Sequence, residues 1–200
     1  KVVSGLYLPV SMAFIPNAGT APTDAFFYVC ELYGKVKVVT RNYQEHPLLD
    51  NLLNFDPLGP FPGTGEMGVS GLCYYPPTRG LYVSLVYAQG GNKFGRVIRA
   101  NLNPDLKSVA SVDTIFSGMP TGFSHQIQAV TVGPDGMLYV NTGDGNDSDS
   151  AQNLQDKRGK ILRMTLNGAM PPDNPFPGTY VYAYGLRNPF GAAWQPGTGR

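Results

Sequence analysis

The chain has 200 residues, 42% of them hydrophobic, and a formal net charge of +1, which is enough apolar material for a real core. No run of basic residues offers the clustered Lys and Arg that nucleic-acid phosphates require, and no apolar stretch approaches the roughly 18–20 residues that span a bilayer. Gly 25 and Pro 18 exceed a fifth of the chain, and with Tyr 12 and Phe 10 they favour short strands and turns over long helices, an all-β class.

The chain opens at Lys1 without an apolar signal segment, as a mature product or a trimmed start would. Its first repeat runs from an apolar strand ending in proline, Met12-Ala13-Phe14-Ile15-Pro16, to an aromatic strand, Phe27-Tyr28-Val29. A glycine turn then enters an alternating strand, Gly34-Lys35-Val36-Lys37-Val38. His46, between Glu45 and Pro47, reads as a surface residue without a role. The second repeat is Leu72-Cys73-Tyr74-Tyr75-Pro76, Leu81-Tyr82-Val83 and Gly95-Arg96-Val97-Ile98-Arg99, with an outer strand over 112–116. The third is Val130-Thr131-Val132-Gly133-Pro134, a tight turn over 133–136, Leu138-Tyr139-Val140 and Gly159-Lys160-Ile161-Leu162-Arg163. Any helix over 152–158 is one or two turns at most. A fourth repeat begins at Ala192-Ala193-Trp194-Gln195-Pro196.

The marker prolines are 60, 58 and 62 residues apart and the marker glycines 61 and 64, so two independent signals keep one beat. Four short strands per unit at this period fit propeller blades better than solenoid turns. Three blades and the start of a fourth leave open sheet edges or faces. Residues 1–200 are therefore expected to form a partial β-propeller whose C-terminal blades are missing, the alternative being several copies closing one ring. Cys30 and Cys73 lack the spacing of a zinc site; they read as two small core residues or as a disulfide, and the sequence leaves both open.

Glu66 lies ten residues before Pro76, His125 nine before Pro134, and Arg187 and Asn188 nine and eight before Pro196. All sit in segments leading into a repeat's first strand, which in a propeller gather at one end of the central axis. Histidine, whose ordinary pKa is nearest neutrality, suits a general base. Asp144, in Thr142-Gly143-Asp144-Gly145, can fix its tautomer. Arg187 can grip a carboxylate or polarise an oxygen, and Asn188 and Glu66 can hydrogen-bond a polyhydroxylated ligand or a quinone. The oxygen-rich run from Asp144 to Asp149 is similar to a calcium loop but lacks the closing Glu. Asn146-Asp147-Ser148 is a glycosylation sequon of a kind common by chance.

These residues resemble the soluble pyrroloquinoline-quinone (PQQ) dependent glucose and aldose sugar dehydrogenases, the glucose/sorbosone dehydrogenases. The resemblance is carried by Gly65-Glu66-Met67-Gly68-Val69-Ser70-Gly71-Leu72, His125, the 133–140 run, Thr142-Gly143-Asp144, 159–163, Pro172-Asp173-Asn174-Pro175-Phe176 and Tyr184-Gly185-Leu186-Arg187-Asn188-Pro189. It implies a six-bladed propeller with PQQ and calcium over the central channel. His125 would be the base that takes the anomeric hydroxyl proton, Asp144 its orienter, and Glu66 a substrate neighbour. Arg187 and Asn188 would face the cofactor and substrate, with PQQ itself supplying the redox chemistry. It further implies an aldose as substrate, an external electron acceptor, a periplasmic or extracellular location, and calcium ligands beyond residue 200. Gln126-Ile127-Gln128-Ala129 replaces the Gly-Arg pair of the family. Two other readings are a non-catalytic extracellular recognition propeller, like the hedgehog-interacting-protein-like members, and a propeller hydrolase or lactonase with a channel metal.

Overall fold

A computed structural model describes residues 2–57, 65–195 and 197–199; Gly63, Thr64 and the marker Pro196 lie outside the described residues. The first sheet contains β1 (Pro9–Phe14), β2 (Ala25–Glu31), β3 (Lys35–Thr40) and β4 (Glu45–Leu49). The second contains β5 (Val69–Tyr75), β6 (Gly80–Gln89), β7 (Asn92–Leu102) and β8 (Val109–Pro120). The third contains β9 (Ile127–Val132), β10 (Leu138–Thr142), β11 (Lys160–Met164) and β12 (Val181–Tyr184), with one short helix, α1 (Ser148–Gln152), between β10 and β11. Each sheet is antiparallel with its strands in chain order, so one sequence repeat is one up-and-down blade. The chain is a partial β-propeller of three blades.

The first strands pack together, β5 against β1 on one side and β9 on the other. Small residues set that approach. A Cβ on Gly71 would lie 2.6 Å from the Gln128 carbonyl oxygen and 3.0 Å from the Val130 nitrogen, and one on Gly68 would run into the Leu32 carbonyl. Across the same seam Ser70 Oγ donates to the Ile127 carbonyl at 2.6 Å and Ser84 Oγ to the Gln128 carbonyl at 2.5 Å. The apolar core lies between blades. One cluster joins Tyr28, Val36 and Val38 to Leu72, Leu81 and Val83, and a second joins Tyr82, Val97 and Met119 to Ile127, Leu138 and Leu162. The tyrosines of the repeat tie blade to blade: Tyr28 OH donates to the Leu106 carbonyl at 2.9 Å and Tyr82 OH to the Leu166 carbonyl at 3.2 Å. Each lets a fully buried ring keep its hydroxyl partnered.

Four expectations are refined by the structure. Gly34 and Gly159 occupy left-handed turns at φ 100° and 66°, but Gly95 lies inside β7, and the turn there is Gly90-Gly91. Gly95 is needed for packing instead, because a Cβ would sit 2.9 Å from Met119 Cε and 3.0 Å from Ile127 Cβ. The one-turn helix begins at Ser148 rather than 152, and its first turn is held by Ser150 Oγ donating to the Asp147 carbonyl at 2.6 Å. The segment at 192–195 forms no strand; Trp194 packs edge-on against Tyr139, with centroids 4.7 Å apart, and donates to Thr131 Oγ1 at 3.2 Å. Cys30 and Cys73 are free thiols, with burial pushing Cys30 up to about 12.

Candidate active site

The loop between β8 and β9 carries His125 in the left-handed region, φ 59°, with the residue only 7% exposed. That conformation costs a non-glycine residue roughly 1–2 kcal/mol, so the surroundings must hold it. Glu66 Oε2, from the segment leading into β5, accepts the His125 N–H at 2.9 Å. The Gly145 N–H donates to the His125 carbonyl at 3.1 Å and the Gly143 N–H to the Gln126 carbonyl at 2.8 Å. A Cβ at residue 143 would lie 2.5 Å from the His125 carbonyl carbon, which is why the turn after β10 has glycine there.

That same turn presents Asp144. Its Oδ1 meets His125 Nδ1 at 2.6 Å, and both residues are buried. Burial alone would raise the Asp144 carboxyl. The hydrogen bond with His125, the Asn146 amide, and the charges of His125 and Arg187 outweigh it and hold the carboxyl below the ordinary value. Asp144 N–H donates to the Arg187 carbonyl at 2.8 Å, joining the turn to the segment after β12. Asn188 on that segment donates from Nδ2 to Glu66 Oε2 at 3.3 Å, closing a contact across 122 residues. Gln128 Nε2 donates to Asn188 Oδ1 at 3.3 Å. Arg187 is exposed, and its charge reaches Asp144. Glu66, His125, Asp144, Arg187 and Asn188 therefore come together at one end of the first strands. Next to them a cleft of about 500 Å³ runs along β1, β5 and β9, lined by Glu66, Ser70, Gln128, Thr131, Leu72 and Phe190 among others.

The family described as Glucose / Sorbosone dehydrogenase matches residues 6–200. This chain belongs to that family. It is 30% identical over 131 residues to the aldose sugar dehydrogenase YliI of Escherichia coli K12, covering 61% of this chain and 35% of the relative. It is 26% identical over 163 residues to quinoprotein glucose dehydrogenase B of Acinetobacter calcoaceticus, covering 66% and 34%. The PQQ-bound aldose sugar dehydrogenase of Streptomyces coelicolor superposes with a TM-score of 0.77 at 29% identity, covering 98% of this chain and 55% of that one. The chain thus spans about a third of these curated family relatives and about half of the solved one.

Behind the site a lysine that sequence reading did not single out holds the third blade's loops. Lys160 is fully buried, and its Nζ donates to the carbonyls of Ser150 (2.8 Å), Ala151 (3.0 Å) and Arg158 (2.6 Å). Ser150 Oγ in turn donates to the Asp144 carbonyl at 3.1 Å. Gln128 was also missed. Its signal was a polar residue between Ile127 and Ala129 at the start of a repeat's otherwise apolar first strand. In the calcium-like run, Asp144 is engaged by His125 and the Asn146 amide, and Asp147 pairs with Arg158 at 3.0 Å. Among the described residues no three His, Cys, Asp or Glu side chains gather as a metal centre. His46 lies exposed on β4, away from the cleft.

Proposed function

We propose that the protein is a PQQ-dependent aldose dehydrogenase in which His125 is the general base. The observation that carries this reading is the 2.6 Å contact between His125 Nδ1 and Asp144 Oδ1, beside a cleft that Glu66 lines. With Nδ1–H given to Asp144, the imidazole has Nε2 as a lone-pair acceptor for the proton of a sugar's anomeric hydroxyl. Asp144, held ionised, fixes that tautomer and stabilises the imidazolium formed when the proton arrives. Glu66 holds the base's backbone through Oε2 and lines the cleft, where a carboxylate suits sugar hydroxyls.

PQQ is a planar tricarboxylate, and the residues present fit part of it. Arg187 offers an exposed guanidinium for a carboxylate, and Asn188 a side-chain amide beside Glu66. When bound, PQQ supplies the two-electron acceptor for the hydride leaving the sugar's C1, and an external acceptor would reoxidise it. For calcium the described residues offer no fitting cluster. Further blades would complete a six-bladed ring and supply the calcium ligands. In support, β1 exposes Val10, Met12 and Phe14, and the far side exposes Tyr182, Tyr184 and Phe190. The family resemblance implies a periplasmic or extracellular location, and no helix among the described residues is long and apolar enough to cross a membrane.

The test uses the full-length protein reconstituted with PQQ and calcium, assayed by dye reduction with a panel of aldoses. Turnover is expected, and His125→Ala should lower kcat by about 10²–10⁴-fold. Normal turnover in that variant would remove the base assignment, and failure to bind PQQ would favour a recognition propeller.

A further inference from the structure

We propose that Asn146 is a positioning residue that sets the geometry of the His125–Asp144 pair; this rests on the reading of His125 as base. Asn146 is exposed and adopts φ 68° in the turn after β10, a conformation that asparagine tolerates better than most residues. It acts on both members of the pair. Its N–H donates at 2.9 Å to Asp144 Oδ1, the same oxygen that meets the imidazole. Its side-chain Oδ1 accepts the Ser124 N–H at 3.0 Å and the Ser124 Oγ–H at 2.9 Å.

The Ser124 and His125 amides are therefore captured in succession, the first by Asn146 from the third blade and the second by Glu66 from the second. A peptide held at both nitrogens cannot rotate the histidine out of its left-handed conformation without breaking a side-chain bond. One residue thus links the backbone before the base to the carboxylate that orients its ring. Because Asn146 is exposed, water can replace its oxygen at Ser124, so its loss should leave the fold intact and loosen the pair. The asparagine's value here is its acceptor together with its left-handed backbone, which also accounts for the first residue of the sequon.

Two variants separate those properties. Asn146→Gly keeps the left-handed turn and the main-chain bond to Asp144 but removes the acceptor. Asn146→Asp keeps the acceptor and tolerates the same φ. Both are made in the full-length protein from a bacterial host, so that the sequon is not used. Asn146→Gly is expected to lower kcat about 10-fold, with KM within about 2-fold and an unchanged melting temperature. In the cofactor-free protein, the far-downfield proton of the His125 Nδ1–H, assigned by its loss in His125→Gln, should broaden or move upfield. Asn146→Asp should restore kcat and the resonance. Wild-type kcat and resonance in Asn146→Gly, or an Asp variant no better than the Gly variant, would overturn the proposal. Should His125→Ala retain turnover, the base assignment falls, while the resonance still reports whether Asn146 orders the pair.

Discussion

Replacing Gly143 by alanine inserts one methyl group where the turn carrying Asp144 meets His125, the proposed base. The new Cβ would lie 2.5 Å from the His125 carbonyl carbon and 2.8 Å from its Cα, against the 3.5–4.0 Å at which carbon atoms rest. The neighbouring atoms belong to the backbone, so no rotamer change relieves the clash. The two segments must part by roughly 1 Å. The bonds from Gly143 N–H to Gln126 and from Gly145 N–H to His125, at 2.8 and 3.1 Å, resist that movement. Overpacking of this kind costs about 1–3 kcal/mol, and a displacement near 1 Å at a reacting group lowers turnover by about 10²-fold. Dye-linked kcat with an aldose and thermal unfolding, both on the reconstituted full-length protein, read the two effects separately. Gly136→Ala serves as control, because φ is 74° there but nothing lies within 4 Å of its Cβ; it should lose about 1 kcal/mol and no turnover. A Gly143→Ala protein with wild-type kcat would refute the claim that this close approach places the base.

Lys160→Met should destabilise the protein by about 2 kcal/mol, since it removes the one ammonium that ties the carbonyls of Ser150, Ala151 and Arg158 together, leaving the first two with only the Asn153 and Gly185 amides; a melting temperature within 1–2 °C of wild type (roughly half a kcal/mol or less) would contradict it. Acid should weaken the fold through Asp135, Asp144 and Asp156. In each, burial would raise the carboxyl, but hydrogen bonds and nearby positive charge hold it below 3.8. A depressed folded value adds stability that is present above the unfolded value and lost as pH falls through the folded one. The urea midpoint should therefore stay level from pH 7 to about pH 5 and drop below about pH 4. A level midpoint down to pH 2 would show that these bonds contribute nothing net.

The blade plan was legible because a propeller writes itself as a period. Prolines closing β1, β5 and β9 and tyrosines in β2, β6 and β10 recur in phase, each repeat facing the same packing problem. Gly95 shows the limit of that reading. It kept the beat, yet its reason is the closeness of Ile127 across a blade seam, beside Met119 of its own blade, and no single repeat contains that neighbour. The convergence of Glu66, His125, Arg187 and Asn188 followed from their shared offset before the marker prolines. That Glu66 holds the His125 amide did not follow, because it depends on a loop reaching 59 residues along the chain. Lys160 read as an ordinary strand residue, since burial of its ammonium is made tolerable only by carbonyls that α1 and the 158 loop supply.

The seam between β5 and β9, closed by Gly71, Ser70 and Ser84, works as a ruler for the proposed site above it. Glu66 rides on one side of that seam and His125 on the other, so its width decides whether the carboxylate can still reach the amide. Alterations deep in this wall, out of reach of any sugar, would therefore register in turnover, whereas the exposed ends of the same loops could be rebuilt for a new substrate without disturbing the gauge.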